Sequence, residues 1–281
     1  WVDAVASSGG NDSGTDRLID RLQTRIRFLL DCGLSYVSLD RATGSLSGGE
    51  AQRVMLTSAL GSGLINTLYV LDEPTSGLHS GDTSRIIEIA HRLKREGNTV
   101  VVVEHDPQFI QSADLVVEIG PDAGNNGGEV IFTGTPQQLV TAETPTGIRL
   151  RDTASPLPRP GGQGQGEGES GNFRSSPPAN SQRPTASLTL YGVNSNNIRN
   201  LNVNIPLGVI CAVTGVSGSG KSSLIIDALY PELCRLTKQP IRGSHAGRID
   251  HIEGADAIEV VRLLDQSPLL RSGRSVPVTW I

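Results

Sequence analysis

Val209-Ile-Cys-Ala-Val-Thr214 is an unbroken, mostly apolar run of strand length that feeds straight into Gly215-Val-Ser-Gly-Ser-Gly220-Lys221-Ser222. No other feature of the chain restricts its fold as tightly. A run that is apolar at consecutive positions has no solvent side, which is the pattern of a strand in a parallel sheet covered on both faces. Glycines directly after such a strand let the backbone curl so that successive N–H groups point at phosphate oxygens. The helix that follows adds the positive end of its dipole. Gly215, Gly218, Ser219, Gly220 and Ser223 shape that cradle, Lys221 is placed to neutralise the β- and γ-phosphates, and the Ser222 hydroxyl to ligate Mg2+. The expectation is an α/β fold of the P-loop NTPase type that binds ATP with Mg2+. A glycine-rich strand–helix turn with no ligand is the competing reading, and the flanking strand and helix weigh against it.

The rest of the chain alternates in the same way. Leu18, Ile19, Leu22, Ile26, Leu29 and Leu30 recur at helical spacing, and Cys32-Gly33 ends that helix with a residue suited to a left-handed cap. Thr67-Leu-Tyr-Val-Leu-Asp72 and Thr99-Val-Val-Val-Val-Glu104 read as buried strands around a helix at Ser84 to Lys94. Ala113 to Ile119 and Glu129 to Phe132 read as two further strands joined by Gly124-Asn-Asn-Gly-Gly128, with a short helix after Gly134-Thr-Pro136. Residues 156–183 hold five prolines and six glycines and almost nothing to bury, which predicts a flexible linker over 151–186. Strands resume at 188–191, 201–205 and 209–214, and one more is expected at 258–264 beyond a less regular stretch. The expected domains are 1–150, the linker 151–186, and 187–281, with a mostly parallel sheet in each half and antiparallel strands at 114–132 and 188–205.

Composition excludes little but constrains the setting. At 281 residues with 37% apolar content the chain suits a globular protein, and no apolar run approaches a membrane span. The net charge of −5 gives no global attraction to nucleic acid. Cys32, Cys211 and Cys234 are far apart with no CxxC pair, which argues against a disulfide framework or a zinc site within this chain and favours a reducing cytoplasm. Trp1 at the start and Val276 to Ile281 at the end carry no terminal signal, so an internal fragment is expected.

Three more groups carry chemistry. In Leu68-Tyr-Val-Leu-Asp72-Glu73-Pro74 a buried strand delivers Asp72 toward Mg2+ and leaves Glu73 to polarise the attacking water. Two acids opening a solvated loop would be the plain alternative. His105 ends the next strand, well placed to sense a γ-phosphate, although a lone histidine is more often a surface or core residue. Gln266, after the last strand, could reach Mg2+ and the water. Leu46-Ser47-Gly48-Gly49-Glu50-Ala51-Gln52-Arg53 opens a helix whose N–H groups and Ser47 hydroxyl, with Gly48 and Gly49, could cap a γ-phosphate. Its plain alternative is an N-capped helix and nothing more.

That last segment reads as the signature of an ABC-type ATPase, and its position is telling. In one ABC cassette the Walker A loop precedes the signature, whereas here Gly215 to Ser222 follows Leu46 to Arg53. The chain therefore resembles the end of one cassette joined to the start of another, two partial cassettes with a flexible linker between them. Tyr36 to Arg41, Ser76-Gly-Leu-His79, Val103-Glu-His-Asp106, Ile119-Gly-Pro121, Gly134-Thr-Pro136 and Asp265-Gln-Ser-Pro268 extend the pattern. On these residues the chain is similar to the UvrA family, the damage-sensing ATPases of bacterial nucleotide excision repair, over most of its length outside the linker.

The resemblance implies an ATPase using ATP and Mg2+, acting on damaged double-stranded DNA with UvrB and as a homodimer in the cytoplasm. It places zinc only in parts of the family's chains outside this segment. It also implies that Ser47 to Gly49 face Lys221 across one composite site, while Asp72, Glu73 and His105 serve a second site whose Walker A lies elsewhere. The segment alone would then hold no complete ATP site and would not hydrolyse ATP. Arg271 and Arg274 lie where they could reach a DNA surface between cassettes. Other readings are a UvrA-like paralogue in drug resistance, a transporter-type ATP-binding protein, and a ribosome-associated tandem ATPase, whose linker would be charged and helical.

Overall fold

The computed structural model describes residues 13–60, 62–78, 80–154, 186–241 and 246–265. Strands β1 (Thr67–Asp72), β2 (Thr99–Val103), β3 (Leu115–Gly120) and β4 (Glu129–Gly134) come from the first half of the chain. Strands β5 (Ser187–Ser195), β6 (Ile198–Pro206), β7 (Ile210–Thr214), β8 (His251–Glu253) and β9 (Val260–Leu264) come from the second.

Six of them form one sheet in the order β4-β3-β7-β2-β1-β9. Every pair is parallel except β3 with β4. The strand before the phosphate loop, β7, is therefore inserted between β3 and β2, and β9 pairs with β1. This corrects the expectation of a separate sheet in each half: α/β and mostly parallel hold, but the two halves share a single sheet. The reason is burial. All five residues of β7 and all five of β2 are buried, so each strand needs a partner on both edges and cover on both faces, and neither half supplies all of them alone. The remaining strands make an antiparallel sheet in the order β6-β5-β8.

Helices α1 (Ser13–Asp31), α2 (Gly48–Leu60), α3 (Ser80–Arg95), α4 (Pro107–Ser112), α5 (Pro136–Thr141) and α6 (Pro145–Ala154) all lie in the first half. They cover one face of the large sheet, where Phe28, Leu56, Ile86 and Leu93 join Tyr69, Val102 and Ala212. The other face is covered by the second half, where Leu190 and Ile205 of the small sheet and Leu224 and Leu229 beyond the phosphate loop join Val70, Val101 and Val213. That segment winds as a π-helix over Ser223–Leu229 and continues as α7 (Tyr230–Leu236).

Gly33 ends α1 at φ 72°, as the sequence predicts, and Leu34 N donates to Leu29 O at 3.0 Å to close the cap. The linker boundary at 151 falls inside α6, which runs on to Ala154, and Ala186 is already paired with Leu207. Residues 155–185 lie outside the described residues. Within 231–257, read as irregular, α7 and β8 give short regular pieces.

Candidate functional site

The C-terminal ends of β7, β1, β2 and β9 lie on one rim of the sheet, where an open parallel α/β sheet binds ligands. Here β7 opens into the phosphate loop, β1 ends at Asp72 and Glu73, β2 runs into Glu104 and His105, and β9 ends next to Asp265.

Gly215 stands at φ 135°, and a Cβ there would lie 2.0 Å from the carbonyl oxygen of Ile119, so only glycine allows the loop to leave β7 this close to β3. Gly124 N donates to Gly218 O at 3.1 Å and Gly128 N to Ser219 O at 2.8 Å. Asn197 Nδ2, in the β5–β6 turn, donates to Gly124 O and Ser219 O at 3.0 Å each. The phosphate loop is thus braced from outside by both halves of the chain.

Lys221 is buried, and its Nζ donates to Gly215 O at 3.0 Å and Val216 O at 2.8 Å. Burial pushes its pKa down, and the charges of Glu73 and Asp72 oppose that shift. Asp72 is pushed up from 3.8 to about 6, by burial first and then by Glu73, Asp265 and Glu104, with Lys221 acting the other way. Glu73 holds a left-handed backbone at φ 44°, fixed by its N–H on Val103 O at 2.9 Å and by Ser76 N on its own carbonyl at 3.0 Å. His105 Nδ1 lies 3.9 Å from Glu73 Oε1 and 3.9 Å from Glu104 Oε2.

The resemblance assigns Asp72 and Glu73 to a site whose Walker A lies elsewhere; in this structure their charges also act on Lys221, because β1 and β7 flank β2 in one sheet. The Ser47 to Gly49 turn is engaged locally. Glu50 N donates to Ser47 Oγ at 3.2 Å, Ser47 N donates to Glu50 Oε2 at 2.7 Å, and Arg41 lies 3.5 Å from Glu50. That is a capping box at the start of α2. Gln266, Arg271 and Arg274 lie outside the described residues.

The residues fit a magnesium nucleotide on two grounds. Ser219 Oγ is buried with no hydrogen-bond partner, an orphan donor inside the phosphate loop. Asp72 is pushed up by burial first and then by the neighbouring carboxylates of Glu73, Asp265 and Glu104, a gathering of negative charge that a divalent cation relieves. Ser222 is exposed at the mouth of the loop. Among the described residues no group of three or more His, Cys, Asp or Glu side chains could hold a metal ion by itself, and the three cysteines are buried and free.

Several supporting residues escape a reading by motif. Gln52, buried inside the signature, donates to Asp72 O at 2.8 Å and Leu264 O at 2.9 Å, tying α2 to the ends of β1 and β9. Asn197 and the Gly124 to Gly128 loop are legible only as a turn until the fold places them. Glu104 carries one signal: a carboxylate closing a β-branched, fully buried strand has to find donors.

No protein-family model matches the chain. It is 44% identical over 269 residues to UvrABC system protein A of Streptomyces coelicolor, covering 94% of this chain and 24% of that protein. It is 44% identical over 267 residues to the protein of the same name in Methanothermobacter thermautotrophicus, covering 94% of this chain and 25% of that one. For Staphylococcus epidermidis the identity is 40% over 282 residues, covering 100% of this chain and 28% of the relative. The chain thus spans about a quarter of the length of the curated relatives it matches. Among solved structures it is similar to UvrA2 from Deinococcus radiodurans, with 38% identity, a TM-score of 0.47, and coverage of 85% of this chain and 26% of that one. Among the described residues no helix is long and apolar enough to cross a membrane.

Proposed function

We infer that this chain is an internal segment of a UvrA-type ABC ATPase, and that its site binds ATP with Mg2+ to power recognition of DNA damage. The observation that carries the reading is that the phosphate loop with Lys221 and the end of β1 with Asp72 and Glu73 open on one rim of the sheet, in a chain 44% identical to proteins named UvrABC system protein A.

The phosphate loop and Lys221 would bind and orient the phosphates, Ser222 and Asp72 would hold the cation, and Glu73 would accept a proton from the attacking water. Bound Mg2+ supplies charge neutralisation on the phosphates. His105, 3.9 Å from Glu73, is assigned to sensing the γ-phosphate. The whole protein would act in the cytoplasm, as a homodimer, on damaged duplex DNA handed on to UvrB. Gln266 is assigned to the cation and water, Ser47 to Gly49 to a nucleotide on a facing cassette, and Arg271 and Arg274 to the DNA surface.

The test is made in the full-length protein. Lys221→Ala is expected to weaken nucleotide binding and lower ATP turnover by about two orders of magnitude. Preference for damaged over undamaged duplex should then lose its dependence on ATP. Unchanged nucleotide affinity and unchanged ATP-dependent discrimination in that variant would overturn the reading.

A further inference from the structure

β2 is β-branched throughout and fully buried, yet the residue that follows it is a carboxylate with no exposed surface. A carboxylate taken out of water costs several kcal/mol unless it is well partnered. Glu104 is satisfied by four donors. Thr75 N reaches Oε1 at 3.0 Å and the Thr75 hydroxyl donates to the same oxygen. His105 N reaches Oε2 at 2.7 Å and Asp106 N at 3.0 Å.

Those donors belong to two different loops. Thr75 lies two residues beyond Glu73, in the turn that leaves β1, and His105 opens the turn that leaves β2. The turn after β1 is locked in other ways as well: Glu73 N is held by Val103 O, and Ser76 N by Glu73 O. Glu104 N itself donates to Val213 O at 3.1 Å, which anchors the carboxylate against the strand that enters the phosphate loop. One buried side chain therefore ties the backbone of the loop carrying the water-polarising group to that of the loop carrying the phosphate sensor, with His105 Nδ1 3.9 Å from both carboxylates.

We propose that Glu104 is a positioning residue that sets His105 against Glu73 by hydrogen-bonding the turn after β1 and the turn after β2 with its two carboxylate oxygens. The proposal rests on the nucleotide-hydrolysing role given to the site above. Glu104 has no exposed surface and acts through the two loops.

The decisive experiment is steady-state ATP hydrolysis by the full-length protein. In Glu104→Gln one oxygen becomes an amide nitrogen, which cannot accept from either set of N–H donors, so one loop is released while volume is kept. The expected result is a fall in kcat of about tenfold with KM and nucleotide affinity within about twofold of the parent. In a His105→Ala background the same change should cost less than about twofold more, because the group being positioned is already gone. A merely structural glutamate would lower thermal stability and cost the same factor in both backgrounds.

Thr75→Val removes only the hydroxyl bond, is nearly isosteric, and covers the case in which Glu104→Gln fails to fold. It is expected to lower kcat by about threefold with KM unchanged, and by nothing further without His105. If Lys221→Ala abolishes nucleotide binding while Glu104→Gln and Thr75→Val leave kcat unchanged, or cost the same with and without His105, the proposal is overturned and the ATP reading stands. Unchanged nucleotide binding in Lys221→Ala would instead remove the ATP reading on which the proposal depends.

Discussion

Asp72 is the residue at which fold and chemistry conflict most directly. Its folded pKa of about 6 lies above the ordinary 3.8, so the folded chain holds a proton at Asp72 more tightly than the unfolded chain does. Its contribution to stability is therefore fully present below about pH 4 and is lost as pH rises through 6. Asp72→Asn imitates the protonated form without the titration. It is expected to stabilise the nucleotide-free protein at pH 8 by about 1 kcal/mol after allowance for solvent screening, and not at pH 4. In a melting experiment that is a rise in Tm of about 2–4 °C at the higher pH only. A fall in Tm at pH 8 would mean that the carboxylate is held by favourable partners instead. The same substitution should weaken magnesium-dependent nucleotide binding, so stability and function move in opposite directions.

At the scale of elements, the phosphate loop depends on pieces outside its motif. Asn197 and Gly128 hold Ser219 O from two directions, one from each half of the chain. Asn197→Ala removes hydrogen bonds that hold the loop's outer carbonyls and is expected to weaken nucleotide binding by about tenfold, read by fluorescence titration with a labelled ADP. Gly128→Ala places a Cβ 2.4 Å from Asn197 O at a backbone of φ 87°, so it should lower both affinity and Tm. Equal affinity in both variants would show that the motif residues alone set the loop. The helix pattern of residues 18–30, the cap at Gly33 and the runs that became β1, β2 and β7 are legible in sequence because periodicity and unbroken apolarity are local properties. The brace is not, because an asparagine in a turn acquires meaning only from what the fold sets beside it.

At the scale of the molecule, one sheet built from both halves changes what the chain can do alone. The 281-residue chain is expected to bind magnesium nucleotide by itself, with binding lost in Lys221→Ala and weakened in Asp72→Asn, although these groups come from opposite halves. The shared sheet can be probed without nucleotide. Cys211 in β7 is fully buried, and burial pushes its thiol up to about 12; Cys32, the residue after α1, behaves alike. Neither should react with iodoacetamide at pH 8 until the chain unfolds. A protease site placed within 155–185 and then cut should leave two pieces that co-elute under native conditions, since separating them would expose both edges and one face of β7 and an edge of β1. Rapid labelling of Cys211, or separation of the pieces, would mean two independent halves.

Sequence alone determined the element types, the phosphate loop, the paired acids after β1 and the histidine after β2, because each is written within a few neighbouring residues. It also determined the order of the motifs, and through it the likeness to two joined half-cassettes. Only tertiary structure decided which strands became neighbours. An apolar strand states that both its faces must be buried but does not state by whom, since any strand of matching register satisfies its hydrogen bonds. Insertion of β7 between β3 and β2 made that choice. It set Lys221 and Asp72 on one rim of the sheet and gave Glu104 donors from two loops.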